Sequence, residues 1–596
     1  MAKELPKRSE VKIEDTWNLL DMYESDAAWE KDLEWIRALL PKLEAFEGKV
    51  GECAKTLFEL LELSAAVDEK LELAFNYAQR QYDQDTSDTG HQAQVAKIMS
   101  LYAELMSAEA FISPEIIAID EELLDKYYQE IPELELYRKQ LAEIRRLKAH
   151  RLSPEMEKVI AQTLEMSQVG ADTFNVLDNA DMTFPEITDE NGDSLRLTHG
   201  RFIPCLESAN RQVRKEAFQK YYGTYNQFLN TYASLYNGQV KQLIFNAKVR
   251  KYDSTLEASV DENNVSPIVY KNLVETVNKN LDKLHRYVSL RKKYLGLDEL
   301  HMYDIYTPMI SDVAKKYTFD EAKQICLEAL APLGEEYVAK VKEGFENRWV
   351  DVYENQGKVS GAYSAGAYGT HPYVLMNFNG SLDNVFTLIH EMGHAMHSYY
   401  SNENQPYIYS QYKIFVAEVA STCNEVLLLE YLLGKTEDEK ERLYLLNHYL
   451  DMFKGTLFRQ TQFAEFEMES NKMAENGEGL NADNLSQLYL DINRKYYGED
   501  MISDPEIAYE WARIPHFYYN FYVYQYATSF SAAVAVAHDI LDKGQSVVDK
   551  YKEFLSGGCS EAPVELLKKV GVDLEKTEPI QAALDVMATV LDEMEK

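Results

Sequence analysis

The chain has 596 residues, a formal net charge of −38 and 46% hydrophobic residues. This length allows a large buried core, whereas the charge argues against nucleic acid, whose phosphates require a basic surface. The same charge argues against anionic membranes, so the sequence predicts neither a nucleic-acid partner nor a membrane partner.

Cysteine usage and the N-terminal residues indicate a cytoplasmic protein. The five cysteines are scattered without a CxxC pair, and the odd number indicates reduced thiols. The first residues, MAKELPKRSEVKIEDTW, lack the apolar segment of a secretion signal. No run approaches the roughly 20 apolar residues of a membrane helix.

Hydrophobic periodicity predicts a mainly α-helical chain. We find no Pro/Ser-rich linker, low-complexity block or repeat that would divide it. The predicted helices cover residues 29–48, 55–80, 90–110, 121–149, 154–170, 207–250, 266–294, 319–345, 436–474 and 484–497.

Strand signals are few. Asn191-Gly192 predicts a tight hairpin, with apolar residues alternating on both sides of it. Other strand-like runs lie near residues 301–306 and 347–378. We therefore expect a small β element in a helical protein.

A glycine-rich run precedes the most informative helix of the chain. Gly361, Gly366 and Gly369 match no phosphate-binding fingerprint and could mark a plain surface loop. The strand-like residues 371–378 that follow could hold an extended peptide along a strand edge, and the glycines could let the chain close over it.

Two histidines and a glutamate occur in the run HEMGH, residues 390–394. Positions i and i+4 share one helix face, so His390 and His394 can bind one divalent ion. Glu391 lies beside that ion, where it can take a proton from a metal-activated water. The alternative is a helix whose histidines only form hydrogen bonds in the core.

The surrounding stretch, SLDNVFTLIHEMGHAMHSYY, favours the metal site. Its apolar residues recur at helical intervals and predict a buried helix, which Ser381 or Asp383 can cap. The histidines and Glu391 lie along one stripe of this helix. Buried polar groups need partners, and a metal ion supplies them.

A tetrahedral catalytic zinc has three protein ligands and an open position for water. His397 is the nearest histidine, but it lies two turns, or about 10 Å along the helix axis, from His390. Glu418 is the better candidate, because it lies 24 residues after His394 in a second apolar helical stretch that can return antiparallel. An ordinary solvated glutamate is the alternative. Glu425, two turns on, can accept a ring N–H from a ligand histidine.

Residues 517–526, FYYNFYVYQY, contain five tyrosines. An aromatic stripe at helical spacing is more often core than active site, so we expect most of them to pack. Tyr519, Tyr522 and Tyr526 share one helix face, from which a pair of hydroxyl groups could stabilise an oxyanion.

These motifs resemble those of the thimet-oligopeptidase-like zinc metallopeptidases, most closely their oligoendopeptidase F branch. The resemblance is carried by HEMGHAMHSYYS, FVAEVASTCNE, GKVSGAYSAGAYGTHPYVLMNF, RIPHFYYNFYVYQYATS and FLSGGCSEAPVELLKKVGVDL. It covers the catalytic half closely and the N-terminal third more loosely, through FPEITDENGDSLRLTHG.

The resemblance implies one Zn²⁺ ion per chain and two sets of site residues. The implied metal ligands are His390, His394 and Glu418, with Glu391 as the general base. The residues implied to hold the substrate carbonyl are His516, Tyr519 and Tyr526.

The resemblance also implies an architecture of two helical lobes around a deep substrate channel, with the small β element beside the zinc-site helix. Residues 1–200 would form an N-terminal helical region in the channel wall. Residues 201–596 would form the zinc metallopeptidase catalytic domain.

We therefore expect a zinc-dependent endopeptidase that hydrolyses internal bonds of short oligopeptides. One alternative is a zinc carboxypeptidase on a related helical fold, which needs a cation such as Arg459 or Arg513 for the terminal carboxylate. Another is a helical peptide-binding protein without enzymatic activity. The presence of Glu391 and Glu418 argues against that alternative, because a mere binder needs no base.

Overall fold

The computed structural model describes residues 4–310 and 315–596 of the chain. Helices form most of this part, which confirms the mainly α-helical class. The first twelve α-helices are α1 (Asp26–Glu44), α2 (Ala54–Gln84), α3 (Thr89–Glu109), α4 (Ile112–Ala118), α5 (Glu121–Glu130), α6 (Arg138–Arg146), α7 (Pro154–Val176), α8 (His199–Glu207), α9 (Arg211–Val249), α10 (Thr255–Asp261), α11 (Pro267–Lys279) and α12 (Leu281–Tyr294). The following twelve are α13 (Phe319–Ala329), α14 (Glu335–Glu346), α15 (Leu382–Asn404), α16 (Tyr407–Ser410), α17 (Ile414–Lys435), α18 (Glu439–Met452), α19 (Arg459–Glu475), α20 (Ala482–Tyr497), α21 (Tyr524–Lys543), α22 (Gln545–Leu555), α23 (Pro563–Lys569) and α24 (Glu578–Met594). Of the helices described, none is both long and apolar enough to cross a bilayer.

Small sheets accompany the helices. Their strands are β1 (Glu186–Thr188), β2 (Ser194–Arg196), β3 (Leu300–His301), β4 (Val350–Asp351), β5 (Tyr363–Ala365), β6 (Tyr373–Leu375) and β7 (Met501–Ile502). Strands β1 and β2 form the predicted hairpin, with Ile187 opposite Leu195. Gly192 has a φ of +88°, which the tight turn requires and which a residue with a side chain adopts poorly.

The chain divides into two compact units, each made of three separate segments. The first unit contains the described residues up to Arg151, then Lys315–Tyr431 and Val536–Gly571. The second contains the described residues from 152 to 310, then Leu432–Ala535 and Val572–Lys596. The predicted boundary at residue 200 does not coincide with a boundary between these units. The division into 1–200 and 201–596 stays a prediction, as does the channel.

Several predicted helices are interrupted. The predicted helix 121–149 is broken where Pro132, which lacks an N–H, begins a 3-10 turn. The predicted helix 319–345 is broken at Gly334, whose φ is +90°. Asn280 separates α11 from α12, and a π-helical turn over Phe453–Phe458 separates α18 from α19. Periodicity continued across the break at Pro132, because apolar residues on both sides, such as Tyr128 and Leu134, lie in the same core cluster.

The predicted strand in residues 371–378 is β6, but the expectation that it presents an edge is wrong. β6 lies between β4, which is parallel to it, and β5, which is antiparallel. Both of its sides are therefore hydrogen-bonded, as in the bond from Val374 N–H to the Trp349 carbonyl at 2.8 Å. β5, within the glycine-rich run, is an outer strand of this sheet.

Helix α15 follows this sheet in the first unit. Ser381 caps it, since its Oγ accepts the N–H of Asn384 at 3.2 Å, and this confirms one of the two predicted caps. Val385, Leu388 and Met392 are fully buried along its apolar side. The helix is thus anchored in the core at the level of its histidines.

A buried charge network fixes β4. Asp351 accepts a hydrogen bond from Arg8 Nη1 at 2.9 Å, and Lys358 Nζ lies 2.6 Å from the same carboxylate. The side chains of Asp351 and Lys358 are fully buried, and burial lowers the pKa of Lys358. Asp351 is the ion-pair partner of both cations and holds the N-terminal segment against the sheet.

Replacing Asp351 by alanine should destabilise the first unit by about 3–5 kcal/mol, because it leaves a buried cation without its partner. The measurement is the free energy of unfolding in urea. Asp320→Ala is the matched control, since its pair with Lys323 has the same 2.6 Å separation but an aspartate that is 89% exposed. That change should cost at most about 1 kcal/mol. Equal losses in the two variants would contradict the prediction.

Candidate metal centre

Three side chains in the first unit have donor atoms at the spacing of metal ligands. Nε2 of His390 and Nε2 of His394 each lie 3.4 Å from Oε2 of Glu418. Donor atoms of the three residues all lie within 4.8 Å of one another. Tetrahedral zinc, with ligand bonds of about 2.0–2.2 Å, separates its ligand atoms by about 3.3–3.5 Å. These residues therefore fit a zinc ion without rearrangement of α15 and α17.

The close approach of α15 and α17 brings the ligands together. A Cβ atom added to Gly393 of α15 would lie 2.6 Å from Cα of Ser421 and 2.7 Å from the carbonyl oxygen of Ala420, both in α17. These are backbone atoms, which cannot turn aside as a side chain would. Because Gly393 has no side chain, Glu418 reaches both histidines.

The charges around the centre require a cation. Glu391, Glu418 and Glu425 surround the two histidines, and no lysine or arginine of the described residues lies within ion-pair distance of these carboxylates. Burial alone would lower the pKa of His390, but Glu418 and Glu425 outweigh it and raise that pKa to about 10. Burial alone would raise the pKa of Glu418, but the two histidines hold it well below its usual range. A divalent ion would neutralise this excess of negative charge.

Glu425 contacts the other ring nitrogen of His390, as its spacing predicts. Nδ1 of His390 donates to Oε1 of Glu425 at 2.8 Å. In the metal-bound form, this bond would keep the proton on Nδ1 and leave Nε2 to bind the metal. Ser421 supports the third ligand in a similar way, since its Oγ donates to Oε2 of Glu418 at 3.0 Å.

Glu391 is buried beside the two histidines, with 6% of its surface exposed. Its Oε2 has no hydrogen-bond partner among the described residues. Burial raises the pKa of this carboxyl above its usual value, although the neighbouring histidines lower it in part. An unpaired carboxyl oxygen of raised basicity is suited to accept a proton.

His397 lies apart from the group of donor atoms, in agreement with the argument from helix geometry. Its ring stacks on that of Tyr412 at 3.7 Å with an interplanar angle of 1°, and it packs against Phe554 at 5.3 Å. Only 1% of its surface is exposed, and burial lowers its pKa to about 3. It therefore serves as a neutral packing group on the metal-site helix.

The tyrosine-rich segment forms an aromatic cluster in the second unit. The ring of His516 lies 5.5 Å from that of Tyr519, and 6.2 Å from those of Tyr522 and Tyr526. Tyr519 is 55% exposed and Tyr522 and Tyr526 are half-buried, so Tyr518 and Tyr524 pack in the interior but most of the five tyrosines do not. The structure thus brings the three residues implied by the resemblance together with Tyr522. The prediction that Tyr519, Tyr522 and Tyr526 share one helix face is wrong, because α21 begins at Tyr524. Their role toward a substrate stays a prediction.

Two features of these groups escaped the sequence patterns. Gly393 stands inside HEMGH, but only the path of α17 shows that its missing side chain matters. Tyr412 precedes α17 in a polar loop, and nothing in its spacing indicates that it stacks on His397. A small residue inside a metal-binding helix is the one local signal that could have indicated the close contact.

Comparison with known proteins agrees with this geometry. The family model described as "Peptidase family M3" matches residues 205–586, and that described as "Oligopeptidase F" matches residues 115–184. The chain is 51% identical to Oligopeptidase PepF of Bacillus subtilis, over all of this chain and 89% of the relative. It is 42% identical to an Oligoendopeptidase F homolog of Lactococcus lactis, over all of this chain and 99% of the relative.

Solved structures are similar as well. A putative peptidase from Chlamydophila abortus has a TM-score of 0.94 and 36% identity, covering 99% of each chain. Oligoendopeptidase-F from Enterococcus faecium has a TM-score of 0.75 and 40% identity, covering 96% of this chain and 98% of its own.

Replacing Gly393 by alanine should weaken zinc binding by about tenfold or more, because the added methyl group separates α15 from α17 and moves Glu418 away from the histidines. The measurement is the zinc dissociation constant from competition with a chelating dye. Gly434→Ala is the matched control on α17, since a Cβ there meets no atom within 4 Å. The role assigned to the close contact is wrong if the two variants bind zinc equally well.

Proposed function

Because the chain belongs to peptidase family M3, whose members include metalloendopeptidases, we propose that it is a zinc-dependent endopeptidase of short oligopeptides. The metal, the substrate length and the residue roles are the added content of this proposal. The observation that carries it is the group of donor atoms from His390, His394 and Glu418 within 4.8 Å.

Zinc suits two imidazoles and one carboxylate, with a fourth position left for water. When bound, it would polarise the scissile carbonyl and lower the pKa of the attacking water. His390, His394 and Glu418 would hold the ion. Glu425 would keep His390 in the tautomer that offers Nε2, since it already accepts the proton-bearing Nδ1.

Glu391 would act as the general base. It would accept a proton from the attacking water and deliver it to the leaving amine. The support for this role is its burial beside both histidines, its unpaired Oε2 among the described residues and its raised pKa. A carboxylate in an ion pair with lysine or arginine would be a poorer base.

His516, Tyr519 and Tyr526 would hold the carbonyl oxygen as negative charge develops on it. Hydroxyl and imidazole N–H groups are the donors that such an oxyanion needs. Burial lowers the pKa of His516, so it is neutral at neutral pH and one of its ring nitrogens carries a proton to donate. The exposure of Tyr519 supports the proposal, because a packing tyrosine would be buried.

The substrate class rests on the relatives, which are named oligopeptidases and oligoendopeptidases. An extended peptide would pair with the outer strand β5 by main-chain hydrogen bonds, as in other cases of strand addition. A cytoplasmic location is part of the proposal. All five cysteines are free, as expected in a reducing compartment.

The two cations that the carboxypeptidase alternative would need already have a partner. Arg459 and Arg513 both donate to Glu510, at 2.6 and 2.8 Å from the same carboxyl oxygen. They form a buried ion-pair network in the second unit that Tyr489 and Tyr222 complete. A terminal carboxylate would have to compete with Glu510 for them.

Two variants separate metal binding from proton transfer. Glu391→Gln should keep stoichiometric zinc but lose turnover by about 100-fold or more, because the amide cannot accept the proton. Glu418→Ala should lose zinc itself. Turnover of an internally quenched peptide and the metal content of the same samples are the measurements.

Glu403→Gln, an exposed glutamate on the same helix as Glu391, is the matched control and should change neither quantity. Near-normal turnover in zinc-loaded Glu391→Gln would show that another group is the base. Stoichiometric zinc in Glu418→Ala would show that another residue is the third ligand.

Blocked peptides distinguish internal from terminal cleavage. A peptide of about eight residues with an acetylated N-terminus and an amidated C-terminus should be cut at a rate similar to that of the unblocked peptide, because no terminal charge takes part. Mass spectrometry of the products identifies the bond. Loss of cleavage upon C-terminal amidation would instead indicate a carboxypeptidase.

A further inference from the structure

A strained segment lies within the tyrosine cluster of the second unit. Residues 519–523 connect a 3-10 turn, Pro515–Tyr518, to helix α21. Asn520 and Phe521 in this segment both have a φ of +55°. This left-handed conformation is unfavourable for residues with side chains, and two in succession are rarer still. The strained pair stands directly between Tyr519 and Tyr522.

Side chains from three helices hold the strained pair. Ser259 of α10 donates from its Oγ to the Asn520 carbonyl at 2.5 Å, and Gln239 of α9 donates to Oδ1 of Asn520 at 3.0 Å. Glu467 of α19 accepts the N–H of Phe521 on its Oε1 at 2.6 Å. Strained backbone that surrounding groups enforce in this way is typical of functional sites.

Phe521 also anchors the segment through its side chain. Only 1% of its surface is exposed, and its ring meets that of Tyr270 edge-on at 5.7 Å. The ring is therefore fixed in the core while the backbone on both sides of it carries partly exposed tyrosines. A change in the Phe521 backbone angle must be taken up by these neighbours.

The burial of Glu467 in this arrangement costs free energy of folding. Its side chain is completely buried, and no lysine or arginine of the described part of the chain lies within ion-pair distance of it. Its Oε2 has no hydrogen-bond partner among these residues, and burial raises its pKa to about 8. A buried carboxyl without an ion pair is a poor choice for stability alone. Its specific contribution is the hydrogen bond to Phe521.

We propose that Glu467 is a positioning residue, which holds residues 519–523 in the strained conformation that arranges Tyr519, Tyr522 and Tyr526 for the reaction. The inference rests on the proposed role of Tyr519 and Tyr526 at the oxyanion. Without the hydrogen bond to Glu467, the N–H of Phe521 loses its acceptor, and the segment relaxes toward negative φ. Tyr519 and Tyr522 then turn relative to Tyr526, which α21 carries separately.

The test compares Glu467→Leu, Glu467→Gln and Glu465→Leu by kcat, KM and zinc content. Glu467→Leu, which has no acceptor, should lower kcat by about 10- to 100-fold, because small displacements of groups acting at the transition state cost that much. KM should change by less than about threefold and zinc should stay stoichiometric, since donors that act only at the transition state contribute little to substrate binding. Glu467→Gln should keep kcat within about threefold, because its amide carbonyl accepts the same N–H.

Glu465→Leu is the matched control. This glutamate lies on the same helix and is also buried, but it pairs with Lys495, Tyr496 and Asn278 rather than with the strained segment. Its replacement should leave kcat unchanged in the folded fraction, which is determined by the amplitude of thermal unfolding. An equal loss of kcat in Glu465→Leu would assign the effect to general destabilisation and overturn the proposal.

Ser259→Ala decides the question if Glu467→Leu does not fold. It removes one bond to Asn520 from a half-buried site and should lower kcat by a few fold at unchanged KM. Wild-type kcat in this variant would then overturn the proposal, as would wild-type kcat in folded Glu467→Leu.

Tyr519→Phe and Tyr526→Phe separate this inference from the function on which it rests. If they lower kcat and Glu467→Leu does not, only the positioning role fails. If neither lowers kcat, the oxyanion role itself fails.

Discussion

At Gly393 the backbones of α15 and α17 approach so closely that no side chain fits between them. The meeting of the three ligand side chains depends on this contact. It places Glu418 of α17 opposite two histidines that are one turn apart on α15. It also lets Glu425, two turns beyond Glu418 on α17, reach His390. The apolar residues on the other side of α15 are fully buried, so the helix cannot shift to relieve a bulkier residue. Packing in the core therefore sets the distances between the donor atoms.

Buried and half-buried carboxyl groups in this strongly acidic chain have different kinds of partner. Asp351 is shared by Arg8 and Lys358, and Glu510 by two arginines. Glu418 and Glu425 face imidazoles instead, which leaves the metal centre with an excess of negative charge. Glu467 has a single backbone N–H. The first group stabilises the fold, whereas the carboxylates of the metal centre suit a cation and the carboxyl group of Glu467 holds the strained segment.

Local patterns were sufficient for much of this structure. Periodicity predicted long helices such as α2 and α9, and the spacing in HEMGH together with the apolar setting of Glu418 predicted which donor atoms would meet. Nonlocal pairing was beyond such patterns. The sequence of residues 373–375 predicts a strand but not its position in the sheet. That strand is central because β4 also pairs with it, in parallel. The bond between Glu467 and Phe521 likewise joins residues 54 positions apart, and no spacing rule indicates it.

The interleaved segments of the first unit have a consequence for biosynthesis. All the metal-site residues precede Tyr431, but α22, which packs against His397 through Phe554, belongs to the segment Val536–Gly571. At translation rates of about 5–20 residues per second, this segment emerges on the order of ten seconds after the ligands. One segment of the second unit, Leu432–Ala535, is synthesised in that interval. The metal-site helix of the nascent chain therefore lacks its contact with Phe554 until this later segment has been synthesised.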